Sequence, residues 1–309
     1  MTGSRPLVSV VVIFLDEEDF LEDALQSVLD QTYGEWELVL VDDGSTDRSG
    51  EIARRYAVRM QEKVRYLRHP DGRNLGMSAS RNLGISKAHG KYVAFLDGDD
   101  VWLPEKLDAQ VALLDSQPEA AMVYGPAEWW YSWSGDNRDG GRNFIHELGV
   151  PGDSLVNPPS LLAAFLADEG ISPCTCSVLV RRDVFDRVGG FENAFRGLYE
   201  DQVLFAKICL EFPVFASSAC HYRYRQHGRS ALAAAERAGT RSQARRMFLE
   251  WLTAYVDNHG VTDREVLRAL RRERGRQRRP ILRAAVDRGS ALIAGVRRGI
   301  LGQGRGSVR

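Results

Sequence analysis

The chain has 309 residues, 44% apolar and 27% charged, with a formal net charge of −1; this is the composition of a folded globular chain, long enough for one large α/β domain plus a tail or for two small domains. Four cysteines (Cys174, Cys176, Cys209, Cys220) fit neither a disulfide framework nor zinc spacing, which points to a reduced, cytoplasmic setting. No signal-peptide pattern opens the sequence, and no window approaches the roughly 18 uninterrupted apolar residues of a spanning helix.

The first half alternates strand-like and helix-like patterns, as a mostly parallel sheet requires. Leu7 to Phe14 (LVSVVVIF) is a β-branched run suited to a strand buried on both faces. Phe20, Leu21, Ala24, Leu25, Val28 and Leu29 then recur at helical spacing. A second strand, Trp36 to Val41, runs into Asp42-Asp43-Gly44-Ser45-Thr46-Asp47, where Ser45 or Asp47 is placed to cap the next helix. Val64 to Leu67 reads as a short third strand and Ala79 to Ala88 as a helix. A fourth strand, Tyr92 to Leu96, ends at Asp97-Gly98-Asp99-Asp100, and Pro104 sits where a helix could begin.

After Tyr124 the alternation fades. Glu128 to Asp139 and Val150 to Pro159 are expected as long loops. Ser177 to Val180 reads as a strand and Asp201 to Leu210 as a helix. From Arg264 onward 14 arginines face three acids, a local charge of +11, which leaves −12 for the rest. An acidic body therefore precedes a basic tail.

Ligands of open parallel sheets bind outside the carboxyl ends of the strands. Two acidic clusters stand at such ends, Asp42-Asp43 and Asp97-Gly98-Asp99. Clustered carboxylates repel one another unless a cation or a hydrogen-bonding ligand joins them, and hard oxygen donors suit Mg²⁺ or Mn²⁺. Helix capping and turn formation are the ordinary alternative for either cluster alone.

At this point four ordered stretches matter together. They are VSVVVIFLDEEDFLEDALQSVLDQTYGEWELVLVDDGSTDRS, NLGMSASRNLGI, AFLDGDDVWLPEKL and GGFENAFRGLYEDQVLFAKI. They resemble, in order and spacing, family 2 glycosyltransferases of the GT-A fold, over roughly residues 7–230. The resemblance implies an α/β, GT-A (nucleotide-diphospho-sugar transferase) fold. Residues 1–233 would form the transferase domain, with a nucleotide-binding half to about 124 and an acceptor-binding half after it; residues 234–309 would be a helical, Arg-rich extension. It implies an inverting transfer of a sugar from a nucleoside-diphosphate sugar to an acceptor hydroxyl, in envelope or polysaccharide glycan synthesis.

Carried over position by position, Asp43 is expected at the nucleobase with Asp42 beside it. Arg81 and Asn82 are expected near base and ribose, and Asp97 at the ribose or metal. Asp99 is expected to ligate Mn²⁺ or Mg²⁺, His227 to lie near the diphosphate or metal, and Asp201, beside Glu200, to be the catalytic base. An acceptor hydroxyl is a poor nucleophile until such a base takes its proton. Where the family often carries Pro-x-Tyr-Asn, this chain reads Ile13-Phe14-Leu15-Asp16, so a uridine donor is not implied.

Trp129, Trp130 and Trp133, with Glu200, are the candidates for binding a glycan or lipid-linked acceptor, since aromatic faces pack on sugars. Anchoring a long loop in the core is the other use of such a cluster. In the tail, Ile281, Leu282, Leu292, Ile293, Ile300 and Leu301 interleave with arginines. That pattern favours peripheral contact with an anionic membrane, at its inner face, over nucleic-acid binding, which is not expected. Two other functions compete. One is a haloacid-dehalogenase-type phosphatase using Asp97 and Asp99; the other is a non-catalytic nucleotide-sugar-binding module. A dinucleotide oxidoreductase is disfavoured for want of Gly-x-Gly-x-x-Gly after the first strand.

Overall fold

The computed structural model describes residues 5–135, 139–167 and 172–278. Strand β1 (Val8–Phe14) is buried along its whole length. Its side chains divide by parity: Val8, Val10, Val12 and Phe14 enter one core cluster, Val11 and Ile13 the other. That is the signature of a central strand covered on both faces. Strands β2 (Trp36–Asp42), β3 (Val64–Arg68) and β4 (Tyr92–Asp97) join it in parallel, connected by helices α1 (Leu21–Leu29), α2 (Ser49–Arg59) and α3 (Met77–Ser86).

The eight-stranded sheet has the order β3-β2-β1-β4-β10-β6-β11-β9. Beyond β4 it turns mixed. Strand β10 (Leu179–Arg181) runs antiparallel between β4 and β6 (Met122–Tyr124), and β11 (Val214–Ala216) runs parallel to β6 and antiparallel to β9 (Ser154–Val156). A smaller sheet carries β5 (Val101–Trp102), β12 (Tyr222–Arg225), β7 (Glu128–Trp130) and β8 (Phe144–Ile145), in that order.

Register decides where the chemistry can be. Phe14 pairs with Asp42 and Ile13 with Asp97. Both acidic clusters therefore flank the carboxyl end of β1, two strand spacings or about 10 Å apart. Helix α3 lies close on this sheet because Gly84 has no side chain; a Cβ there would sit 2.3 Å from Val11 Cγ1.

Several local expectations shift. Helix α3 starts at Met77 rather than Ala79, and α4 (Lys106–Ser116) starts just past Pro104. The expected strand at Ser177 is a 3-10 turn over Thr175–Ser177 followed by β10. The expected loops after Tyr124 contribute β7 and β9, and β8 lies between them, each too short to carry a readable alternation. Helix α2 begins at Ser49, where Asp47 Oδ1 accepts the Ser49 amide at 2.9 Å, while the Ser45 hydroxyl accepts the Asp16 amide.

Helix α5 (Ser160–Ala167) and α6 (Val184–Val188) precede α7 (Glu200–Glu211); α8 (Ala231–Ala238), α9 (Arg241–Asn258) and α10 (Arg264–Arg278) follow β12. Residue 233, the expected domain limit, falls inside α8. Phe248, Leu252, Val256, Val266 and Leu270 of α9 and α10 share one core cluster with Val203 and Phe205 of α7. The Ile281 to Leu301 stretch lies outside the described residues. Among the described residues, no helix is long and apolar enough to cross a membrane.

Candidate active site

Loops from four strand ends meet at one edge of the large sheet. The turns after β1 and β2 are knitted together. Asp16, in the left-handed region at φ 54°, accepts the Thr46 and Asp47 amides at 2.7 and 3.2 Å, and the Ser49 hydroxyl accepts the Glu17 amide at 2.8 Å. Asp42 is part of this frame. Its carboxylate is buried and accepts from the Gly44 and Ser45 amides and from the Tyr66 hydroxyl at 2.7 Å. Asp43 instead borders a cavity of about 330 Å³, held there by the Leu75 and Gly76 amides at 2.8 and 3.0 Å.

The Asp97-Gly98-Asp99-Asp100 turn forms the far wall of the same cavity. It lies against β1 because Gly98 leaves room; a Cβ there would be 2.7 Å from Phe14 Cβ. Each aspartate has a different partner. Asp97 receives Arg81 Nη2 at 2.7 Å, and Asp99 meets His227 Nε2 at 2.9 Å. Asp100 is buried and accepts the Tyr222 hydroxyl at 2.6 Å and the Arg225 amide at 2.8 Å. Burial, with Asp99 and Asp97 nearby, pushes the Asp100 carboxyl well above the usual range.

Arg225 braces this turn from behind. Its Nε donates to the Asp99 carbonyl at 2.7 Å and its Nη2 to Asp23 at 3.0 Å, while the guanidinium sits 4.8 Å from the rings of both Phe20 and Trp130 and 5.4 Å from Trp133. Cation–π packing of this kind suits a buried arginine.

Among the described residues, one set of donor atoms, on Asp97, Asp100 and Cys176, lies within 4.8 Å and could hold a metal ion. Two of the three are poorly suited. Burial drives the Cys176 thiol far above its ordinary value, and a protonated thiol is a weak donor to a hard cation; Asp100 is already saturated by its partners. The Asp99–His227 pair, which lies outside that set, offers donors of the right chemistry. His227 Nδ1 and Glu17 Oε2 are buried without a hydrogen-bond partner, which is the unmet polarity a cation with its bound ligand would satisfy. Glu17 was not singled out by the sequence reading. Burial and then the Asp99 charge push its carboxyl up to about 8.

Two cations and a helix end complete this cavity. Arg196 reaches Asn74 Oδ1 at 3.0 Å, and Arg229 reaches Asp19 at 2.7 Å. The α8 N-terminus, capped by Ser230 through the Ala233 amide at 3.2 Å, opens on it too. Free helical amides there favour an anion.

A second cavity, of about 350 Å³, holds Asp201, Trp129 and Tyr199, and shares Tyr224 with the first. Arg81, fully buried, spans the two: Nη2 on Asp97, Nη1 on Glu200 Oε1 at 2.8 Å. Glu200 is thereby turned inward, and burial with the Asp201 charge pushes it up against the pull of Arg81. Asp201 faces the cavity, and burial lifts its carboxyl above the ordinary value.

Three sequence-selected positions fall elsewhere. Asn82 clamps the loop after α6, donating to the Phe191 carbonyl and accepting its amide, both at 2.8 Å. Of the three tryptophans only Trp129 borders the Asp201 cavity; Trp130 and Trp133 pack on Arg225.

Comparison with known proteins gives the following. The family described as "Glycosyl transferase family 2" matches residues 9–189. TuaG of Bacillus subtilis, named as a candidate teichuronic acid biosynthesis glycosyltransferase, is 39% identical over 114 residues, covering 37% of this chain and 44% of TuaG. The chain thus spans less than half the length of that relative. The crystal structure of S. aureus TarS 1-349 superposes with a TM-score of 0.56 at 22% identity, covering 71% of this chain and 60% of that one. The mannosyltransferase PcManGT from Pyrobaculum calidifontis, solved with GDP-Man and Mn²⁺, gives 0.62 at 18% identity, covering 99% and 77%. Both likenesses show the GT-A fold.

Proposed function

Because the chain belongs to glycosyl transferase family 2, we propose that it moves a sugar, with inversion, from a nucleoside-diphosphate sugar to an acceptor hydroxyl in cell-surface polysaccharide synthesis. One observation carries the reading: Asp99, paired with the His227 imidazole, borders one cavity and a separate carboxyl, Asp201, borders a second; the two cavities share Tyr224, and Arg81 joins Asp97 of the first to Glu200, the neighbour of Asp201. Nucleotide-sugar donors are supported by PcManGT with GDP-Man and by TarS, which was solved with UDP-GlcNAc. The role in surface polysaccharide is supported by TuaG.

In this reading Asp43 lies at the nucleobase end of the first cavity, with Asp42 shaping the turn behind it. Arg229 and the α8 N-terminus face the diphosphate. Asp97, Asp99 and His227 would hold a divalent cation, Mn²⁺ or Mg²⁺, whose chemistry is to neutralise charge on the departing diphosphate. Asp201 takes the proton of the acceptor hydroxyl as it attacks the anomeric carbon from the other cavity. Trp129 supplies a face for the acceptor sugar. Arg81 is an internal strut between donor and acceptor sides, and Glu200 its counter-charge.

Asp201→Asn tests this most simply. It keeps the shape and removes the base, so transfer should drop by about 10²–10⁴-fold while nucleoside-diphosphate binding persists. Undiminished transfer would remove Asp201 from its role, and a wild-type protein that binds nucleotide sugar without turning it over would favour the non-catalytic module. The phosphatase alternative is set aside by family membership.

We further propose peripheral contact with an anionic membrane surface through α10. Arg264, Arg268, Arg271 and Arg272 are exposed, whereas Val266, Leu270 and Glu273 are buried. Vesicle binding measures this contact.

A further inference from the structure

The first turn of α7 is gripped from both sides. Arg81 holds Glu200 from the sheet side. From the other side comes Arg245 of α9, which is completely buried. Its Nη1 donates to Gln202 Oε1 and its Nη2 to Glu273 Oε2 of α10, each at 3.3 Å. Its guanidinium also lies 5.6 Å from the Tyr199 ring and 5.4 Å from the Phe248 ring.

Tyr199 is the residue that launches α7. It stands in the left-handed region at φ 70°, and its ring stacks on Phe248 at 5.6 Å with only 10° between the planes. A bulky residue keeps such a backbone only where its surroundings over-determine it. Here those surroundings include Phe248 and Arg245. An arginine is also an expensive way to fill a helix–helix interface, because its charge must be desolvated and paired. A leucine or methionine would pack α9 on α7 without a counter-ion. What the guanidinium adds is directional contact, and beyond Glu273 and Phe248 it reaches Tyr199 and Gln202, which bracket the Glu200-Asp201 pair.

We propose that Arg245, held in turn by Glu273, is a positioning residue that aims Asp201 into the acceptor cavity, so that α9 and α10 complete the active site rather than merely follow it. This rests on Asp201 being the base. A base must lie within hydrogen-bond reach of the proton it takes, and displacement by about 1 Å costs on the order of 10²-fold in rate. Gln202 and Tyr199 border the same cavity as Asp201 and not the donor cavity, so loosening the turn would act on transfer before donor binding.

The experiment compares Arg245→Met, Glu273→Gln and Asp201→Asn in the full chain, measuring kcat, the KM for donor, and the thermal shift given by a nucleoside diphosphate. Arg245→Met keeps the apolar stem and removes the donors. It should lower kcat by about 10–100-fold with donor KM and nucleotide-induced shift unchanged; a loss of packing alone would lower the melting temperature without that split. Glu273→Gln leaves α7 untouched and should lower kcat several-fold in the same direction. If Arg245→Met does not fold, an unchanged kcat in Glu273→Gln overturns the proposal. An inactive Asp201→Asn beside a fully active Arg245→Met also overturns it and leaves the base standing. An active Asp201→Asn removes the base itself, and this role with it.

Discussion

A carboxyl raised by burial is a stronger base than one in water, and the lift given to Asp201 has a direct consequence. Protonated Asp201 cannot accept the acceptor proton, so transfer falls as pH drops through its folded value. Because burial raises that value, the acid limb of kcat should centre above the ordinary carboxylate pKa of about 4. A kcat that stays flat down to pH 4 would contradict the assignment. Residue types alone pointed to Asp43, Asp97 and Asp99, because carboxylates at strand ends are visible in a linear pattern; Asp201 came only with the family resemblance. Partners are not. Nothing in the sequence says that Asp42 is consumed by Tyr66 and turn amides, that Asn82 grips Phe191, or that Trp130 and Trp133 surround Arg225. Each depends on residues far away in the chain. Glu17 had a local signal, an acid just past the first strand, but its significance lies in its burial opposite Asp99.

At the scale of elements, the parallel half of the sheet was legible because long β-branched runs alternate with amphipathic helices. The short strands β7, β8 and β9 were not, since two or three residues cannot display a period. The basic tail shows why an element must be seen before it is tested. Cutting the chain after Asp263 would remove Val266 and Leu270 from the core and Glu273 from Arg245, so it would confuse membrane contact with unfolding. Replacing Arg264, Arg268, Arg271 and Arg272 with glutamine touches only exposed positions. At about 1 kcal/mol per arginine near an anionic surface, the fourfold variant should lose most of its co-sedimentation with phosphatidylserine-containing vesicles and keep its melting temperature. Binding equal to wild type would end the membrane proposal for this helix.

The whole molecule brings together side chains from positions as far apart as 17, 43, 99 and 229; the register of β1 against its two neighbours sets the first three, and the pairing of β12 with β5 brings in the last. The central claim is that these groups form one site for a cation and a diphosphate. The direct measurement is the melting temperature with UDP or GDP, with and without Mn²⁺, for wild type and Asp99→Ala. A ligand at about 100 times its dissociation constant stabilises the folded state by roughly 2.7 kcal/mol. The wild-type protein should therefore show a clear rise with nucleotide that is larger when Mn²⁺ is present, and Asp99→Ala should lose the Mn²⁺-dependent part. No shift with either nucleotide, or a metal-dependent shift that survives in Asp99→Ala, would contradict the account.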